Sequence, residues 1–365
     1  MAQTSDILVI GGGIAGLSAA AALSRHAKVT VLEAEEQVGY HSSGRSATML
    51  HYFLGDRLVR ELTLASRAFV EQPPDGFDGL GHPMPVLIFA RDDERAELDA
   101  LEAEIAQFAE LERLDAGAVH AMCPLLKDDA QHGLVDRHAI RLDPHALLQG
   151  NLRQLRANGG TLVAGARVAA IRPGWDVTTE QGETYSAPIL VNAAGSWADR
   201  VAAMAGVQTV GLAPKRRTII TFDAPPGTPL DRLPFAKTVG EELYFAPESG
   251  RLFASPMDEG PSDPCDAQPD EEDIALAAWR IEERTTLKVD RIHSKWAGLR
   301  TFAPDRHPVV GFAPGADGFF WLAGQGGFGL QTSPALAAIV ESLVSGAPWP
   351  VAGVTAEALS AARFG

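Results

Sequence analysis

The sequence predicts an α/β fold, in which a Rossmann-type domain carries an inserted α+β domain built on a mostly antiparallel sheet. Three observations predict this class. The chain opens with an apolar strand, a glycine-rich turn and an alanine-rich helix. Similar apolar strands and helices return after residue 143 and again after residue 296. The segments between them alternate in polarity and are bounded by turn residues, as is typical of antiparallel strands.

The first element is a strand at residues 6–10, followed by the turn "GGGIAG" and the helix "LSAAAALSR". Gly11, Gly13 and Gly16 match the spacing G-x-G-x-x-G in its expected context. Gly11 permits a tight turn, Gly13 lets the backbone approach a pyrophosphate, and Gly16 lets the helix pack on the strand. The helix N-terminus presents unpaired N–H groups to the phosphates.

A second apolar run at 28–32 ends at Glu33, which follows Gly11 by 22 positions. A carboxylate there can accept hydrogen bonds from a ribose diol, and it would repel a 2′-phosphate. The pattern therefore predicts a dinucleotide other than NADP. By itself, it does not distinguish NAD from FAD.

The middle of the chain contains several further elements. We predict helices at 57–72 and 92–112 and a strand at 84–90. Asp143 has the character of an N-cap and Pro144 that of a first helical residue, so a helix begins there. Strands at 161–165 and 167–171, a hairpin at 175–187, a strand at 189–195 and a helix from about Ser196 follow.

A second insertion, at 209–295, contains β-like stretches and one helix at 270–285. The chain then returns with segments at 296–300, 305–312 and 318–324, a glycine-rich turn and a last helix ending near 346. Thr332 and Ser333 are the candidate caps of this helix, with Pro334 as its first residue. We therefore place the Rossmann-type domain at 1–78, 141–208 and 296–365, and the inserted domain at 79–140 and 209–295.

Composition excludes several function classes. The formal net charge is −16, and nucleic acids and anionic membranes are bound by clustered Lys and Arg. No apolar run reaches the ~18–20 residues that cross a bilayer, and no signal peptide is recognised at the start. Cys123 and Cys265 lack metal-ligand spacing, which predicts no metal site and a reducing compartment. We expect a cytoplasmic location, with peripheral attachment to an inner membrane left open.

Six motifs carry a family resemblance: "VIGGGIAGLSAA" with Glu33, "GYHSSGRSA", "VNAAGSWAD", "KRR" at 215–217, "WAGLR" and "GQGGFGLQTSPA". Together they resemble the FAD-dependent D-amino-acid oxidase superfamily, which includes glycine and sarcosine oxidases and D-amino-acid dehydrogenases. The resemblance covers essentially the whole chain and is strongest to bacterial D-arginine dehydrogenases. It implies FAD, held non-covalently because neither cysteine lies in the motifs that face the flavin.

The resemblance also implies which residues hold FAD. In the family, the "HSSGRS" loop runs along the pyrophosphate and the flavin edge, and "GGFG" directs N–H groups at the flavin oxygens. The implied contacts are Gly11, Gly13, Ile14, Ala15, Gly16, Glu33, His41, Ser42, Ser43, Gly44, Arg45, Ser46, Val168, Ala194, Gly195, Gly326, Gly327, Phe328, Gly329, Leu330 and Gln331.

On the substrate side, the resemblance assigns Arg300 to the substrate carboxylate, assisted by the Tyr244 hydroxyl. Arg217 is a second pocket arginine, the Gly327 carbonyl accepts from the substrate amine, and His51 is a candidate helper in proton transfer. Simpler structural roles stay open. Arg300 could form a surface ion pair, Tyr244 could be a core tyrosine and His51 a loop histidine, while one of residues 215–217 could be merely solvated.

The chain departs from the D-arginine dehydrogenases at the substrate wall. Val86 replaces a glutamate that pairs with the cationic side chain, and Met49 and Leu54 replace a histidine and a tyrosine. Lys237 stands where the relatives have an apolar residue. A guanidinium facing Val86 would lose about 1.5–3 kcal/mol of pairing. We therefore expect D-Arg and D-Lys to be disfavoured. A neutral side chain would fit, as would an anionic one if Lys237 points inward.

Three functions are compatible with the sequence. The first is oxidation of a non-cationic D-amino acid to the imino acid by hydride transfer to flavin, followed by hydrolysis to the 2-oxo acid and ammonia. The second is oxidation of glycine, sarcosine or another secondary amine. The third, disfavoured by the charge and by Arg300, is an FAD protein that acts on tRNA or is structural. The sequence leaves open O2 or a quinone as electron acceptor, and also the oligomeric state.

Overall fold

A computed structural model describes residues 2–365 and contains a six-stranded, mostly parallel sheet. Its strands, in spatial order, are Thr161–Val163, Val29–Leu32, Ile7–Ile10, Ile189–Asn192, Phe319–Ala323 and Val309–Phe312. The first five are parallel and the last is antiparallel to its neighbour. The central strands are almost wholly buried because helices cover the sheet, which is why their sequences are continuously apolar.

The first strand, turn and helix form as the glycine spacing predicts. The helix Ile14–Leu23 follows the strand Ile7–Ile10, with Gly13 as its N-cap. Nine of its ten residues are buried because their small side chains let three other elements pack closely. Gly11 has φ +110°, which favours glycine. A Cβ on Gly16 would lie 1.9 Å from the carbonyl oxygen of Gly11.

The second large sheet has nine strands, and all of its neighbouring pairs except one are antiparallel. The spatial order is Gln325–Gly326, Ile292–Phe302, Ala213–Phe222, Arg251–Ser255, Tyr244–Glu248, Phe235–Thr238, Val86–Ala90, His132–Asp136 and Glu112–Asp115. The parallel pair is Phe235–Thr238 with Val86–Ala90. Strand Ile292–Phe302 crosses the domain boundary that we placed at 296, so it joins the two parts of the molecule.

Two small sheets and nine α-helices complete the described chain. One small sheet has strands Gln3–Thr4, Thr184–Ser186, Asp176–Thr179 and Val168–Arg172, and the other has Met49–Leu50, Ile140–Leu142 and Gly81–Pro83. The helices are Ile14–Leu23, Arg57–Glu71, Arg95–Ile105, Ala116–Met122, Pro144–Ala157, Ala198–Met204, Glu271–Arg284, Gly329–Ser345 and Ala356–Leu359. Of the helices in residues 2–365, none has the length and apolar character that crossing a bilayer requires.

The predicted start at Asp143 is confirmed, and the predicted end at residue 112 is wrong. The Asp143 carboxylate accepts a hydrogen bond from the Ala146 N–H, and Pro144 is the first helical residue. The helix predicted at 92–112 is α-helical only over Arg95–Ile105, and Glu112–Asp115 forms an edge strand. That strand buries only Leu114, so its polar sequence gives little strand signal, and backbone pairing with strand His132–Asp136 defines it.

The predicted caps of the last helix are also wrong. The helix begins at Gly329, and Phe328 is its N-cap without a side-chain hydrogen bond. Pro334 lies inside the helix and has no N–H for the Leu330 carbonyl. The Ser333 hydroxyl donates to that carbonyl at 3.0 Å instead, which makes the proline tolerable. The helix N-terminus therefore lies within the glycine-rich loop.

The close approach of Gly16 to Gly11 gives a test of the packing. We expect Gly16→Ala to lower the free energy of unfolding of the cofactor-free protein by about 1–3 kcal/mol or more, because backbone must shift to admit the Cβ. Urea titration measures the change. Gly79→Ala is the control, because no atom lies within 4 Å of its added Cβ. Equal stabilities of the two variants would contradict the packing argument.

Candidate active site

A cleft lies where the carboxyl ends of three parallel strands meet the nine-stranded sheet. It encloses about 1330 Å³ of space, part of it open to solvent. Strand Ile7–Ile10 leads into it at Gly13, strand Ile189–Asn192 at Ala193, and strand Phe319–Ala323 at Gly324. Ligands of open α/β sheets bind at this edge because the loops that follow the strands converge there.

Most of the residues predicted to hold a dinucleotide line this cleft. They are Gly13, Ile14, Ala15, Ser42, Ser43, Arg45, Ser46, Gly195, Gly326, Gly327, Phe328, Gly329, Leu330 and Gln331. The structure leaves the others outside its lining: Gly11, Gly16, Glu33, His41, Gly44, Val168 and Ala194. Among these, Gly11 and Gly16 shape the turn from behind, while Val168 lies in the four-stranded sheet.

Glu33 is fixed against the glycine-rich turn. Its carboxylate accepts hydrogen bonds from the Gly12 N–H at 2.5 Å and the Glu35 N–H at 2.9 Å. Burial raises the pKa of this carboxyl group, whereas the two N–H donors oppose the rise. A Cβ on Gly12 would lie 2.8 Å from a Glu33 oxygen, so the close contact requires glycine. The Glu33 carboxylate thus lies at the end of strand Val29–Leu32, beside the glycine-rich turn.

The loop "HSSGRS" forms hydrogen bonds both to the first helix and to the nine-stranded sheet. The Ser43 hydroxyl accepts from the Ile14 N–H at 2.9 Å, and Ser42 donates to the Leu299 carbonyl at 2.6 Å. Arg45 pairs with the Asp266 carboxylate at 2.6 Å and also donates to two backbone carbonyls. The guanidinium of Arg45 is therefore engaged in holding the loop. His41 contacts the Glu35 carboxylate at 3.1 Å, outside the cleft.

Two helix N-termini open onto the cleft. Ile14 begins the first helix and Gly329 the last, and both line the cavity. The first turn of a helix carries N–H groups without intrahelical acceptors and a partial positive charge. A Cβ on Gly13 would meet only the Ser43 hydroxyl, at 3.3 Å, which leaves an accessible backbone surface. The donor set, with Glu33 nearby, fits the phosphates and ribose of a dinucleotide such as FAD.

Arg300 lies in the cleft on strand Ile292–Phe302. Its Nη2 donates to a Glu259 carboxylate oxygen at 2.5 Å, whereas its Nε is buried without a hydrogen-bond partner in the described chain. Burial lowers the pKa of Arg300 to about 10, and nearby Arg217 acts in the same direction. The group is still a cation at neutral pH. A Cβ on Gly327 would lie 3.0 Å from the Arg300 side chain, so the glycine-rich loop packs directly on it.

Glu259 is the residue that the sequence analysis missed. It receives hydrogen bonds from Lys215, Arg300 and Arg306 at 2.5–2.9 Å. Burial works against its ionisation, but hydrogen bonds from Arg306 and Lys215 and the charge of Arg300 lower its pKa to about 2. Glu259 lies in a loop some forty residues before Arg300, and the sequence around it contains no recognisable motif. The pairing of strands Ala213–Phe222 and Ile292–Phe302 brings Lys215 and Arg300 together beside it.

Arg217 and its two neighbours have separate partners. Arg217 donates to the backbone carbonyls of Met257 at 3.2 Å and Asp258 at 2.9 Å, and it lines the cleft. Arg216 faces away and pairs with the Asp270 carboxylate. Lys215 is half-buried in its pair with Glu259 at 2.9 Å, so each of the three side chains is paired rather than merely solvated.

Tyr244 also faces the cleft. Its ring is stacked on Phe235 with centroids 5.2 Å apart and meets the edge of Phe253 at 6.1 Å. Within residues 2–365, its hydroxyl has no hydrogen-bond partner. The aromatic contacts hold the ring in place, and the hydroxyl is free to meet a ligand.

His51 is buried and neutral. Its Nδ1 accepts from the Phe53 N–H at 3.1 Å, so the ring proton is on Nε2. Burial and the charge of Lys237 lower the pKa of His51 to about 3. Since a group with this pKa takes up little proton near neutrality, the arrangement favours His51 as a hydrogen-bond donor over His51 as a base.

The departures from D-arginine dehydrogenases fall in two places. Met49, Leu54 and Lys237 line the cleft, while Val86 lies in the core behind it, fully buried. Lys237 donates to the Glu241 carboxylate at 3.3 Å, and burial lowers its pKa. Among the described residues that line the cleft there is no Asp or Glu.

The cleft combines backbone donors that fit a dinucleotide with several basic side chains, and sequence comparison identifies the family. The chain belongs to the DAO family of FAD-dependent oxidoreductases, whose sequence model matches residues 6–343. FAD is its cofactor.

Two relatives illustrate the range of the similarity. The chain is 25% identical over 406 residues to FAD-dependent oxidoreductase domain-containing protein 1 of Bos taurus, covering 94% of this chain and 81% of the relative. It is 28% identical over 365 residues to the tRNA 5-methylaminomethyl-2-thiouridine biosynthesis bifunctional protein MnmC of Maricaulis maris. That alignment covers 98% of this chain and 55% of MnmC, so the chain spans about half of that protein.

Solved structures share the fold throughout. L-proline dehydrogenase from P. horikoshii superposes with a TM-score of 0.85 and 23% identity, covering 100% of this chain and 98% of that one. Glycine oxidase from Geobacillus kaustophilus gives a TM-score of 0.78 and 21% identity, with coverages of 97% and 100%. At these identities the likeness establishes the common fold.

The buried His51 predicts a loss of stability in acid. Its pKa of about 3 in the folded chain is below the usual value near 6.5, so its stabilising effect is complete above pH ~6.5 and is lost as the pH falls towards 3. Between these pH values, the free energy of unfolding of the wild type should fall by about 1.4 kcal/mol per pH unit more than that of His51→Asn. Urea titrations at pH 7.0, 6.0 and 5.0 measure this difference. Parallel pH profiles for the two proteins would contradict it.

Proposed function

We propose that this chain oxidises the C–N bond of a small amino acid, giving an imino acid that water converts to a 2-oxo acid and ammonia. The observation that carries the proposal is Arg300, a cation that lines the cleft and whose buried Nε lacks a partner in the described chain. Tyr244 lines the same cleft. A carboxylate would satisfy both groups. FAD, when bound, supplies the acceptor for the hydride of the substrate α-carbon.

The residues of the cleft orient the substrate. Arg300 binds the carboxylate, Tyr244 donates to it, and the Gly327 carbonyl accepts from the amine. Arg217 adds positive potential at the same end. The side chains that line the cleft include no carboxylate, and His51 is a poor base, so the amine loses its proton to water. Orientation of the α-carbon is then the main contribution of the protein.

We further propose that the substrate is a D-amino acid with a side chain that is not cationic. The D configuration follows the motif resemblance to D-amino-acid dehydrogenases. A cationic substrate side chain is disfavoured because the basic residues Arg217, Lys237 and Arg300 line the cleft. No carboxylate of the described chain lines it. An unpaired cationic side chain would lose about 1.5–3 kcal/mol, or roughly ten- to a hundredfold in affinity.

The alternative is glycine, sarcosine or another secondary amine, which would use the same carboxylate site. Anaerobic bleaching of the flavin by a panel of D- and L-amino acids and secondary amines distinguishes these substrates. A tRNA substrate is suggested by the MnmC relative, but the net charge of −16 opposes binding to a polyanion. Bleaching by free amino acids would favour the small-molecule function.

The proposal also assigns roles to the two domains, names the possible electron acceptors and includes a cellular location. Residues 1–78, 141–208 and 296–365 would bind FAD, and 79–140 and 209–295 would form the substrate wall. Electrons would pass to O2 or to a quinone, and a peroxide assay in air separates the two. The two cysteines are free, which suits a reducing cytoplasmic location.

Arg300→Met tests the carboxylate site. We expect kcat/KM for the best amino acid to fall by on the order of a hundredfold or more, with FAD still bound, because the substrate carboxylate loses a buried partner. Stopped-flow flavin reduction and the flavin spectrum give the two readouts. Arg216→Met is the control, since Arg216 lies on the same strand pair but faces away from the cleft. Efficiency near that of the wild type would refute the assignment.

A further inference from the structure

We propose that the substrate carries a second carboxylate, which Lys237 binds in the same cleft as Arg300. This inference rests on the proposed amino-acid oxidation and names its substrate class. The candidates are α-amino dicarboxylic acids and amines with an N-carboxyalkyl group, since both present an amine between two carboxylates.

The first support is the charge of the cleft. Four cationic side chains line it, namely Arg45, Arg217, Lys237 and Arg300, and no carboxylate in the described chain does. Arg45 is neutralised by Asp266, and Arg300 is assigned to the first carboxylate. Lys237 remains as a basic side chain that lines the cleft and whose single partner, Glu241, does not line it. A ligand with two carboxylates could contact Arg300 and Lys237 together.

The second support is the incomplete pairing of Lys237. The side chain is 2% exposed, and burial of an ammonium group is unfavourable unless its donors are satisfied. An ammonium has three donors, and in the described chain Lys237 makes one hydrogen bond, to Glu241 at 3.3 Å. The Glu241 side chain is 63% exposed, so water screens this pair. A ligand carboxylate would accept hydrogen bonds from the remaining donors of Lys237.

The third support is the position of Lys237 in the sheet. It is paired in register with Tyr244, so both side chains project to the same face. Three strands separate strand Phe235–Thr238 from strand Ile292–Phe302, which carries Arg300. Through these pairings Lys237 lies level with Trp296, four residues from Arg300 and on the same face, so the two backbones are separated along the strands as well as across them. The Lys237 and Arg300 side chains both line the cleft.

Apolar side chains also line the cleft. Among them, Met49, Ile219 and Phe235 would contact the carbon chain of the substrate. His51 contributes a neutral donor near Lys237, which suits an acceptor such as a carboxylate oxygen. The cleft near Lys237 therefore combines a basic group, a donor and apolar side chains.

The test compares matched pairs of substrates in the FAD-loaded enzyme. Each pair differs in one carboxylate: D-Glu against D-Gln, D-Asp against D-Asn, and iminodiacetate against sarcosine. We expect the dicarboxylic member of at least one pair to give a kcat/KM at least tenfold higher, measured by anaerobic flavin reduction. The pair that responds identifies the α-amino or the N-carboxyalkyl class. If each neutral member is as good as its partner, the proposal is wrong.

Variants then assign the effect to Lys237. Lys237→Met should lower kcat/KM for the dicarboxylic substrate by about ten- to a hundredfold and that for its neutral partner by less than about threefold. Lys237→Arg should keep the preference. Lys288→Met is the control, because Lys288 is exposed and also paired with a single glutamate. Equal losses on both substrates would show a merely structural role and overturn the proposal.

A binding measurement separates this inference from the proposed function. Glutarate and pentanoate have the same chain length and differ in one carboxylate, and neither can be oxidised at an amine. Perturbation of the flavin absorbance should give a Kd for glutarate at least tenfold lower than for pentanoate, and Lys237→Met should abolish the difference. If no amine bleaches the flavin, the proposed function fails, while this comparison still decides the second-carboxylate site. Equal Kd values would reject that site.

Discussion

The antiparallel pairing of strand Ala213–Phe222 with strand Ile292–Phe302 sets the arrangement of Lys215, Arg217 and Arg300 beside the cleft. Ten backbone pairs fix this register, which places Lys215 opposite Arg300 and Arg217 opposite Gly298. A shift of one residue would turn each of these side chains to the other face of the sheet. Strand Ile292–Phe302 also pairs with Gln325–Gly326, so it positions Arg300 relative to the glycine-rich loop.

Such a concentration of cations needs a counter-charge inside the protein. Glu259 provides it, because its carboxylate contacts three cations directly and lies 3.9 Å from Arg217. It is a half-buried acid held in its ionised form, and it leaves the buried Nε of Arg300 without a partner in the described chain. A counter-charge so placed favours the charged forms of the cations that it contacts. A carboxylate substrate would bind Arg300 beside Glu259, so the two carboxylates would share this cation. The substrate would not have to displace a shell of water from it.

The local parts of this structure could be predicted from sequence, and the parts built by distant pairing could not. The strand, turn and helix around Gly11 and Gly16 depend on backbone geometry that only glycine allows, so the spacing is informative. The start of the last helix was misplaced because Pro334 normally marks a first turn, whereas here a serine hydroxyl compensates for its missing N–H. Glu259 gave no signal, since a lone acidic loop residue acquires its role only from the cations that the sheet brings to it.

The two helix N-termini on the cleft have a consequence for how such an enzyme diversifies. Much of what they offer to FAD is main chain: the N–H group at Gly329 and the exposed backbone at Gly13. Main-chain donors survive most amino-acid replacements, provided that the glycines stay. The rest of the cleft, by contrast, presents side chains such as Met49, Leu54 and Lys237. Exchange of these side chains would change the chemistry of the cleft while the main-chain donors stay in place.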